Sequence, residues 1–395
     1  MVAGYAAKEL VDRGLKPGEL TIVSADSAVP YERPPLSKGF LSGKDSAEGI
    51  LIKPREWYEQ HGIYLELQAV AETIDFDAKR LRSSPGEEVG FETLLIASGA
   101  HPKRLDCPGA ELQNAFYLRS LHDAEKIHSA ASAAKTAVVI GGGFIGMEVA
   151  SVLAQKKIET TLVIREDRVW SRVFSPDISE FFERYYSARG VRIVKQASVA
   201  ALNGKESVRS VKLTDGQEIA CDLVVAGIGV TPATELFQNG QLKIENGIVV
   251  NEFLETNQKN VYAAGDVANY PDLIFEKHRR VEHWDNAVSQ AHRWARNVTG
   301  DRQPFVHVPY FFSDVFDLSY ELWGDSAGAN QAVTRGDLRS SSFSVWWLKG
   351  SRVISAFVMN RPDEEREMAP SWIQAKQEIR ADRLADSRQS LKNAA

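Results

Sequence analysis

One stretch of this chain carries the residue types and spacing of dinucleotide chemistry. Val138-Val139-Ile140-Gly141-Gly142-Gly143-Phe144-Ile145-Gly146-Met147-Glu148 sets a Gly-x-Gly-x-x-Gly run between an apolar strand pattern and an apolar helix pattern. Gly141 suits a sharp turn, Gly143 lets the backbone approach a pyrophosphate, and Gly146 lets the helix pack close to the strand. Phe144 and Ile145 open that helix, whose N–H groups and positive dipole end face the phosphates. Glu166 follows the next strand pattern, Thr160 to Ile164, and lies 20 residues after Gly146, the spacing at which an acid takes the ribose hydroxyls. Glu166 points to NADH; Arg165 and Arg168 flank it and could hold the 2′-phosphate of NADPH, so both donors stay open. A buried apolar strand pattern, Leu223 to Ile228, closes on Gly227-Ile228-Gly229.

The elements around this motif are those of an α/β chain. About 137 residues precede the fingerprint, so a second nucleotide site is expected nearer the start. There Ala3-Gly4-Tyr5-Ala6-Ala7 runs into a helix pattern ending near Arg13-Gly14, and Leu20 to Ser24 reads as a strand. This is the second half of a strand–turn–helix–strand unit; its first strand and leading glycines are expected to be missing, through truncation or through loss of those phosphate contacts. Strands are expected at Leu65 to Ala69 and Glu92 to Ala97, and helices at His122 to Ala134 and Ser179 to Arg189. Val261 to Ala268 reads as a strand meeting a helix, and Phe343–Leu348 with Val353–Met359 as a hairpin. From Pro362 onward a charged segment with a weak helical pattern through Ile373, Ile379 and Leu384 predicts a peripheral helix with a frayed end.

Composition narrows the field. The 395 residues suffice for two or three domains, and 44% hydrophobic with 25% charged residues is the balance of a soluble globular protein. A net charge of −6 argues against a nucleic-acid partner, and no apolar run approaches the roughly 18 residues of a membrane helix. Two cysteines, Cys107 and Cys221, without CxxC spacing, exclude a disulfide framework and argue against a redox dithiol. A reduced, cytoplasmic setting is expected, and no metal site.

Further motifs join the fingerprint in chain order: the proline-stiffened loop Pro30-Tyr31-Glu32-Arg33-Pro34-Pro35-Leu36-Ser37-Lys38, the Ala97-Ser98-Gly99 turn, Arg119, Gly265-Asp266, Arg280-Val281-Glu282-His283-Trp284 and Pro309-Tyr310-Phe311-Phe312-Ser313-Asp314. From Ala3 to about Met359 the chain resembles the FAD-dependent pyridine nucleotide oxidoreductases that lack a redox disulfide. That group includes oxygenase-type ferredoxin reductases, monodehydroascorbate reductases and apoptosis-inducing factor. The resemblance implies roles. Asp266 accepts hydrogen bonds from the FAD ribityl chain, Arg33 neutralises the FAD pyrophosphate, and Asp26 takes the adenosine ribose. Lys38 sits near flavin N5 and pairs with Glu148, making these two the catalytic pair. Arg119 closes over the flavin or its phosphates, Trp284 meets the flavin, and Phe311 and Phe312 wall it. Ala3, Gly4, Ala97, Ser98 and Gly99 complete the FAD set, and Gly141, Gly143, Phe144, Ile145, Gly146, Glu166 and Gly229 form the NAD(P)H set. Where monodehydroascorbate reductases carry an arginine and a tyrosine, this chain holds Val288 and Phe312.

The fold implied is α/β, with two Rossmann-like nucleotide-binding domains of the glutathione-reductase type, one inserted in the other. An FAD domain would span 1–117 and 245–303, an NAD(P)H domain 118–244, and a small α+β C-terminal domain 304–395. The implied activity is hydride transfer from NADH or NADPH to FAD, then electron transfer to an iron–sulfur protein, radical or quinone, by a monomer or homodimer. Monodehydroascorbate reduction is one alternative. A nucleotide-binding interaction protein with little turnover is the other.

Overall fold

The structure, a computed structural model, describes residues 1–84, 86–171, 173–238 and 240–393. The chain divides into two compact units, Met1–Arg33 with Ala47–His101 and Thr231–Tyr310, and Pro34–Ser46 with Pro102–Val230 and Phe311–Ala395.

In the first unit, the helix Val2–Asp12 leads to the strand Thr21–Ser24, which pairs in parallel with Tyr64–Leu67. Ala7 of the helix meets Ile22, Val29, Tyr58 and Ile63 in a small apolar core. A second parallel pair joins Leu94–Ile96 to Val261–Ala263, and an antiparallel meander runs through Ala71–Asp75, Arg80–Ser83 and Glu88–Gly90. The expected strand-then-helix at Val261 to Ala268 is corrected here. The strand ends at Ala263, one 3-10 turn spans Gly265–Val267, and the chain re-enters a strand at Ala268–Asp272. Ala268, Asn269 and Tyr270 are buried in that strand, so packing overrides the local helix signal. The helix that follows is Trp284–Val298.

The first and last helices of this unit are tied by Glu9, which is 9% exposed. Its carboxylate accepts from Arg296 Nε at 2.7 Å and lies 2.8 Å from His292 Nδ1. Gly265 sits against the first helix, since a Cβ there would come within 2.6 Å of Val2 Cγ2.

The second unit holds a five-stranded parallel sheet in the order Val191–Val194, Glu159–Val163, Thr136–Ile140, Leu223–Ala226, Ala115–Tyr117. Three helices belong to it. Leu121–Ala133 opens on a Ser120/Asp123 capping box, Phe144–Gln155 follows the glycine loop, and Pro176–Ser187 has proline in its first turn. A five-stranded sheet follows, with Tyr310–Val315 at one edge and Gln331–Gly336 at the other. The expected hairpin is present, as Phe343–Lys349 pairs antiparallel with Arg352–Met359. An aromatic cluster joins this sheet to the helices: Phe182 lies 4.7 Å from Trp170 and 5.1 Å from Tyr320 between ring centroids.

The tail is docked. Ile373, Ile379, Leu384 and Leu391 are buried, along the helix Asp363–Gln374, the short helix Ala381–Ala385 and the segments beside them. The buried Arg335 pairs with Glu365 at 3.2 Å and donates to the carbonyls of Leu384, Asp386 and Gln389 at 2.6, 3.1 and 3.0 Å. A guanidinium that satisfies so many acceptors holds the segment down, and the frayed end is corrected for the residues up to 393; the last two lie outside the described residues.

Glu9 generates a prediction. Burial pushes its carboxyl upward, but the hydrogen bonds from Arg296 and His292 outweigh burial and leave it below the ordinary range. A carboxyl held below its unfolded value adds stability above that value, near pH 4, and loses it as pH falls through its own lower one. The gap in urea midpoint between wild type and Glu9→Gln is therefore full at pH 7 and closes below about pH 4. An equal gap at pH 7 and pH 3 refutes the role given to Glu9.

Candidate active site

The glycine loop realises each separation of labour expected from its spacing. Gly141 adopts φ +112°, and a Cβ there would lie 2.3 Å from the Gly227 carbonyl. At Gly146 a Cβ would lie 1.9 Å from the Gly141 carbonyl, so only glycine lets the helix start this close to its strand. Gly143, the residue before the helix, faces open space, with nothing within 4 Å of where its Cβ would be. An opening beside the first N–H groups of a helix is the geometry a pyrophosphate needs, and the residues present fit a dinucleotide. Phe144 and the part-exposed Ile145 begin the helix, and Gly229 turns at φ +103°. Glu166 follows the strand Glu159–Val163, and Arg165 Nη2 lies 3.6 Å from its carboxylate. The Arg168 guanidinium is engaged by Asp167 at 3.2 Å and by the Ser171 carbonyl at 3.0 Å.

Lys38 and Glu148 meet in the second unit. Lys38 lies between the 3-10 turn Pro34–Ser37 and the short helix Gly39–Ser42, where the prolines fix the path of the loop. Its Nζ is 2.9 Å from Glu148 Oε1, 3.3 Å from the Pro34 carbonyl and 5.6 Å from the centroid of Phe312. Glu148 lies on the nucleotide helix and is only 4% exposed, in a run from Gly146 to Leu153 that is buried throughout. Its other contacts are hydroxyls: Ser37 Oγ donates to Oε2, and Ser313 Oγ donates to Oε1 at 2.5 Å. Near the start of the same helix Phe144 stacks on Phe311, with ring centroids 5.8 Å apart and planes 7° from parallel. Below it lie two fully buried phenols, Tyr186 and Tyr320, which burial pushes far up, so both stay neutral. Tyr186 donates to the Met147 carbonyl at 2.9 Å. Arg119, by contrast, sits just before the helix Leu121–Ala133, with its backbone N–H on Asp123.

The first unit collects Ala3, Gly4, Asp26, Arg33, Ala97, Ser98, Gly99, Asp266 and Trp284. Ala97 to Gly99 and Gly265-Asp266 both follow the carboxyl ends of the parallel strands Leu94–Ile96 and Val261–Ala263, the edge at which open α/β sheets take ligands. Gly99 turns at φ +73°, and Ser98 Oγ donates to the Ala233 carbonyl at 2.9 Å. The Asp266 carbonyl accepts from Arg280 at 3.1 Å. Behind Gly265, Gln290 Oε1 accepts the Gly265 N–H at 2.7 Å, while the buried Gln290 Nε2 and Asn286 Oδ1 have no partner. Unmet buried polar atoms behind this turn, together with the helix Val2–Asp12 that starts beside Gly265, fit a polar cofactor such as FAD. Asp26 is engaged in its own turn, accepting from the Ala28 N–H at 3.2 Å and from the Tyr31 hydroxyl at 2.6 Å. Arg33 lies 6.0 Å over the Tyr31 ring.

Four residues in these sites carry no expectation from the sequence: Ser37 and Ser313, which donate to Glu148, and Tyr5 and Glu32, where Tyr5 donates to Glu32 alongside the expected Trp284. Ser37 and Glu32 lie inside the proline loop, which was the available signal; nothing in the spacing of Ser313 marked it.

The two helix-proximal glycines should separate on mutation. Gly143→Ala should melt like wild type yet raise the KM for NAD(P)H by about tenfold or more, since its Cβ enters only the open space beside the helix. Gly146→Ala should also lose about 1–3 kcal/mol of stability from the clash with Gly141. Thermal melts paired with nicotinamide titrations check this, and equal melting losses in both would contradict it.

Comparison with known proteins bears on the whole chain. Residues 2–291 match the family model described as pyridine nucleotide-disulphide oxidoreductase, and residues 310–395 match the reductase C-terminal model. The chain is 36% identical to monodehydroascorbate reductase of Pisum sativum, over 93% of this chain and 90% of that protein. It superposes on putidaredoxin reductase, solved in covalent complex with putidaredoxin, with a TM-score of 0.95 at 32% identity, covering 99% of this chain and 95% of that one. The ferredoxin reductase of the CYP199A2 system of Rhodopseudomonas palustris gives a TM-score of 0.94 at 31% identity, covering 100% and 98%. Among the described residues, no helix is long and apolar enough to cross a membrane. The chain belongs to the pyridine nucleotide-disulphide oxidoreductase family, in the branch without a redox disulfide, and is an FAD-dependent enzyme that takes electrons from NAD(P)H and passes them to an acceptor.

Proposed function

We propose that the acceptor is a ferredoxin-type iron–sulfur protein and the donor NADH. The observation that carries the acceptor is the end-to-end match to a reductase solved with its iron–sulfur partner, C-terminal module included. Val288 and Phe312, at the positions where monodehydroascorbate reductases carry arginine and tyrosine, support the same reading. Ascorbate-radical reduction is the second reading, favoured by the 36% identity to the Pisum sativum enzyme. NADH is supported by Glu166, whose spacing from the fingerprint suits an acid that accepts ribose hydroxyls, and by an Arg168 whose guanidinium already bonds Asp167 and the Ser171 carbonyl.

In this reading 1–117 with 245–303 bind FAD, 118–244 bind NADH and 304–395 complete the acceptor side. The cofactors supply the redox chemistry: nicotinamide gives a hydride, and the flavin stores two electrons and releases them one at a time. The protein's residues bind and orient. The Gly141–Gly146 loop holds the NADH pyrophosphate, Arg33 offsets the charge of the FAD pyrophosphate, and Asp266 and Asp26 accept from ribityl and ribose hydroxyls. By the family resemblance Trp284, Arg119 and Phe312 would each contact the flavin. Lys38, aimed by Glu148, offers the positive charge that favours an anionic reduced flavin.

Anaerobic stopped-flow tests the function. The oxidised protein should bleach faster with NADH than with NADPH, and the bleached protein should reduce a [2Fe–2S] ferredoxin faster than enzymatically generated ascorbate radical. Faster turnover with the radical would favour the second reading. Lys38→Ala should slow bleaching by about a hundredfold without preventing NADH binding; bleaching at the wild-type rate refutes the role of Lys38.

A further inference from the structure

Glu148 is held by more than its lysine. Its two oxygens are met by Lys38 and Ser313 on Oε1 and by Ser37 on Oε2. Both hydroxyls are buried, Ser37 at 2% and Ser313 at 0% exposure. They come from different segments, the proline loop and the edge strand Tyr310–Val315, and reach the same carboxylate from sequence distances of 111 and 165 residues. The strand and the turn after it meet the helix at three successive places. Phe311 stacks on Phe144, Ser313 bonds Glu148, and past the strand end the Phe316 N–H donates to Ser151 Oγ at 2.6 Å. Helix positions 144, 148 and 151 lie on one face of the helix, so the strand fixes the carboxylate in rotation as well as in place.

We propose that Ser37 and Ser313 are positioning residues for the Lys38–Glu148 pair: two buried hydroxyls, one on each carboxylate oxygen, fix the plane of Glu148 so that Oε1 faces the ammonium of Lys38. A carboxylate held by Lys38 alone could turn about its last bond, a broad torsion with little intrinsic preference, and the lysine stem would recover its rotamer freedom. With both hydroxyls in place the turn breaks two hydrogen bonds to a charged group, the stronger kind. Among the described residues, the other ionisable groups near this carboxylate are the neutral phenols Tyr186 and Tyr320 and, through Tyr320, Asp314. On the packed helix Leu121–Ala133, His128 bonds the Leu41 carbonyl. None of these replaces a serine on Glu148.

The inference rests on the reading that Lys38 serves the flavin, and its test separates the two. In the FAD-free protein, the rate at which Lys38 is acylated by acetic anhydride, followed by mass spectrometry against the other lysines, reports how firmly its amine is held. Ser37→Ala, Ser313→Ala and the double variant should label severalfold faster, approaching Glu148→Gln. Adding Ser313→Ala to Glu148→Gln should add nothing further. Wild-type labelling in the double serine variant, or full additivity with Glu148→Gln, overturns the inference; either serine variant alone suffices should the double fail to fold. In the FAD-loaded protein the flavin midpoint potential should become more negative as the serines are removed, while the KM for NADH stays put. Faster labelling with an unchanged potential sustains the positioning of Lys38 and overturns its service to the flavin.

Discussion

Much of the second unit converges on the buried charge of Glu148. Glu148 sits on a helix whose face from Gly146 to Leu153 is otherwise apolar or hydroxyl-bearing, and it is 4% exposed. A carboxylate so placed is strongly unfavourable unless it is paired and hydrogen-bonded. Two segments distant in sequence converge on this helix to satisfy it: the loop with Ser37 and Lys38, and the edge strand with Ser313. Removing one partner of such a pair costs about 3–5 kcal/mol. The same helix follows the glycine loop, so Glu148 and Gly143 stand on one continuous element.

The first unit solves a comparable problem by close approach rather than by a buried ion pair. Gly265 lets the turn after the strand Val261–Ala263 rest on Val2, and Gln290 reaches the Gly265 N–H from the last helix. Glu9 ties the first helix to the last through His292 and Arg296. Helix, turn and helix are therefore set relative to each other by contacts with little tolerance. Tyr5 and Trp284 converge on Glu32 of the proline loop, so that loop is held at its acidic residue as well as by its ring constraints.

What could be read in the sequence was what is local. The fingerprint is a contiguous run whose glycines have separate steric reasons: Gly141 and Gly146 sit where a Cβ would clash, and Gly143 faces open space. Strands such as Thr21–Ser24 and Leu223–Ala226 and the hairpin at Phe343–Met359 carry period and turn signals of their own. The pairing of Lys38 with Glu148 spans more than a hundred residues and came from resemblance, not from pattern. Ser313 was illegible because a hydroxyl in a strand has no periodic signature; its function comes only from what packs opposite it. Val261 to Ala268 read as a strand meeting a helix, but after the Gly265–Val267 turn the chain pairs with Ile248–Val249 and Lys277–Arg279, and that pairing decides the conformation. The tail read as frayed because its polar residues hide the dependence of its carbonyls on Arg335.

The cysteines bear on how electrons leave. The family takes its name from a disulphide, but Cys107 and Cys221 are free thiols here. Burial pushes the Cys221 thiol up to about 12, and burial raises that of Cys107 as well. Thiolate is the reactive form in disulfide exchange, so at neutral pH neither sulfur is prepared to relay electrons. This favours transfer to the acceptor without a dithiol step. Such a transfer asks little of nucleophilic side chains and much of geometry: a cofactor held still, a charge fixed beside it, and water kept out. The proline loop, the buried Glu148 with its hydroxyls and the strand that meets the nucleotide helix are suited to that demand.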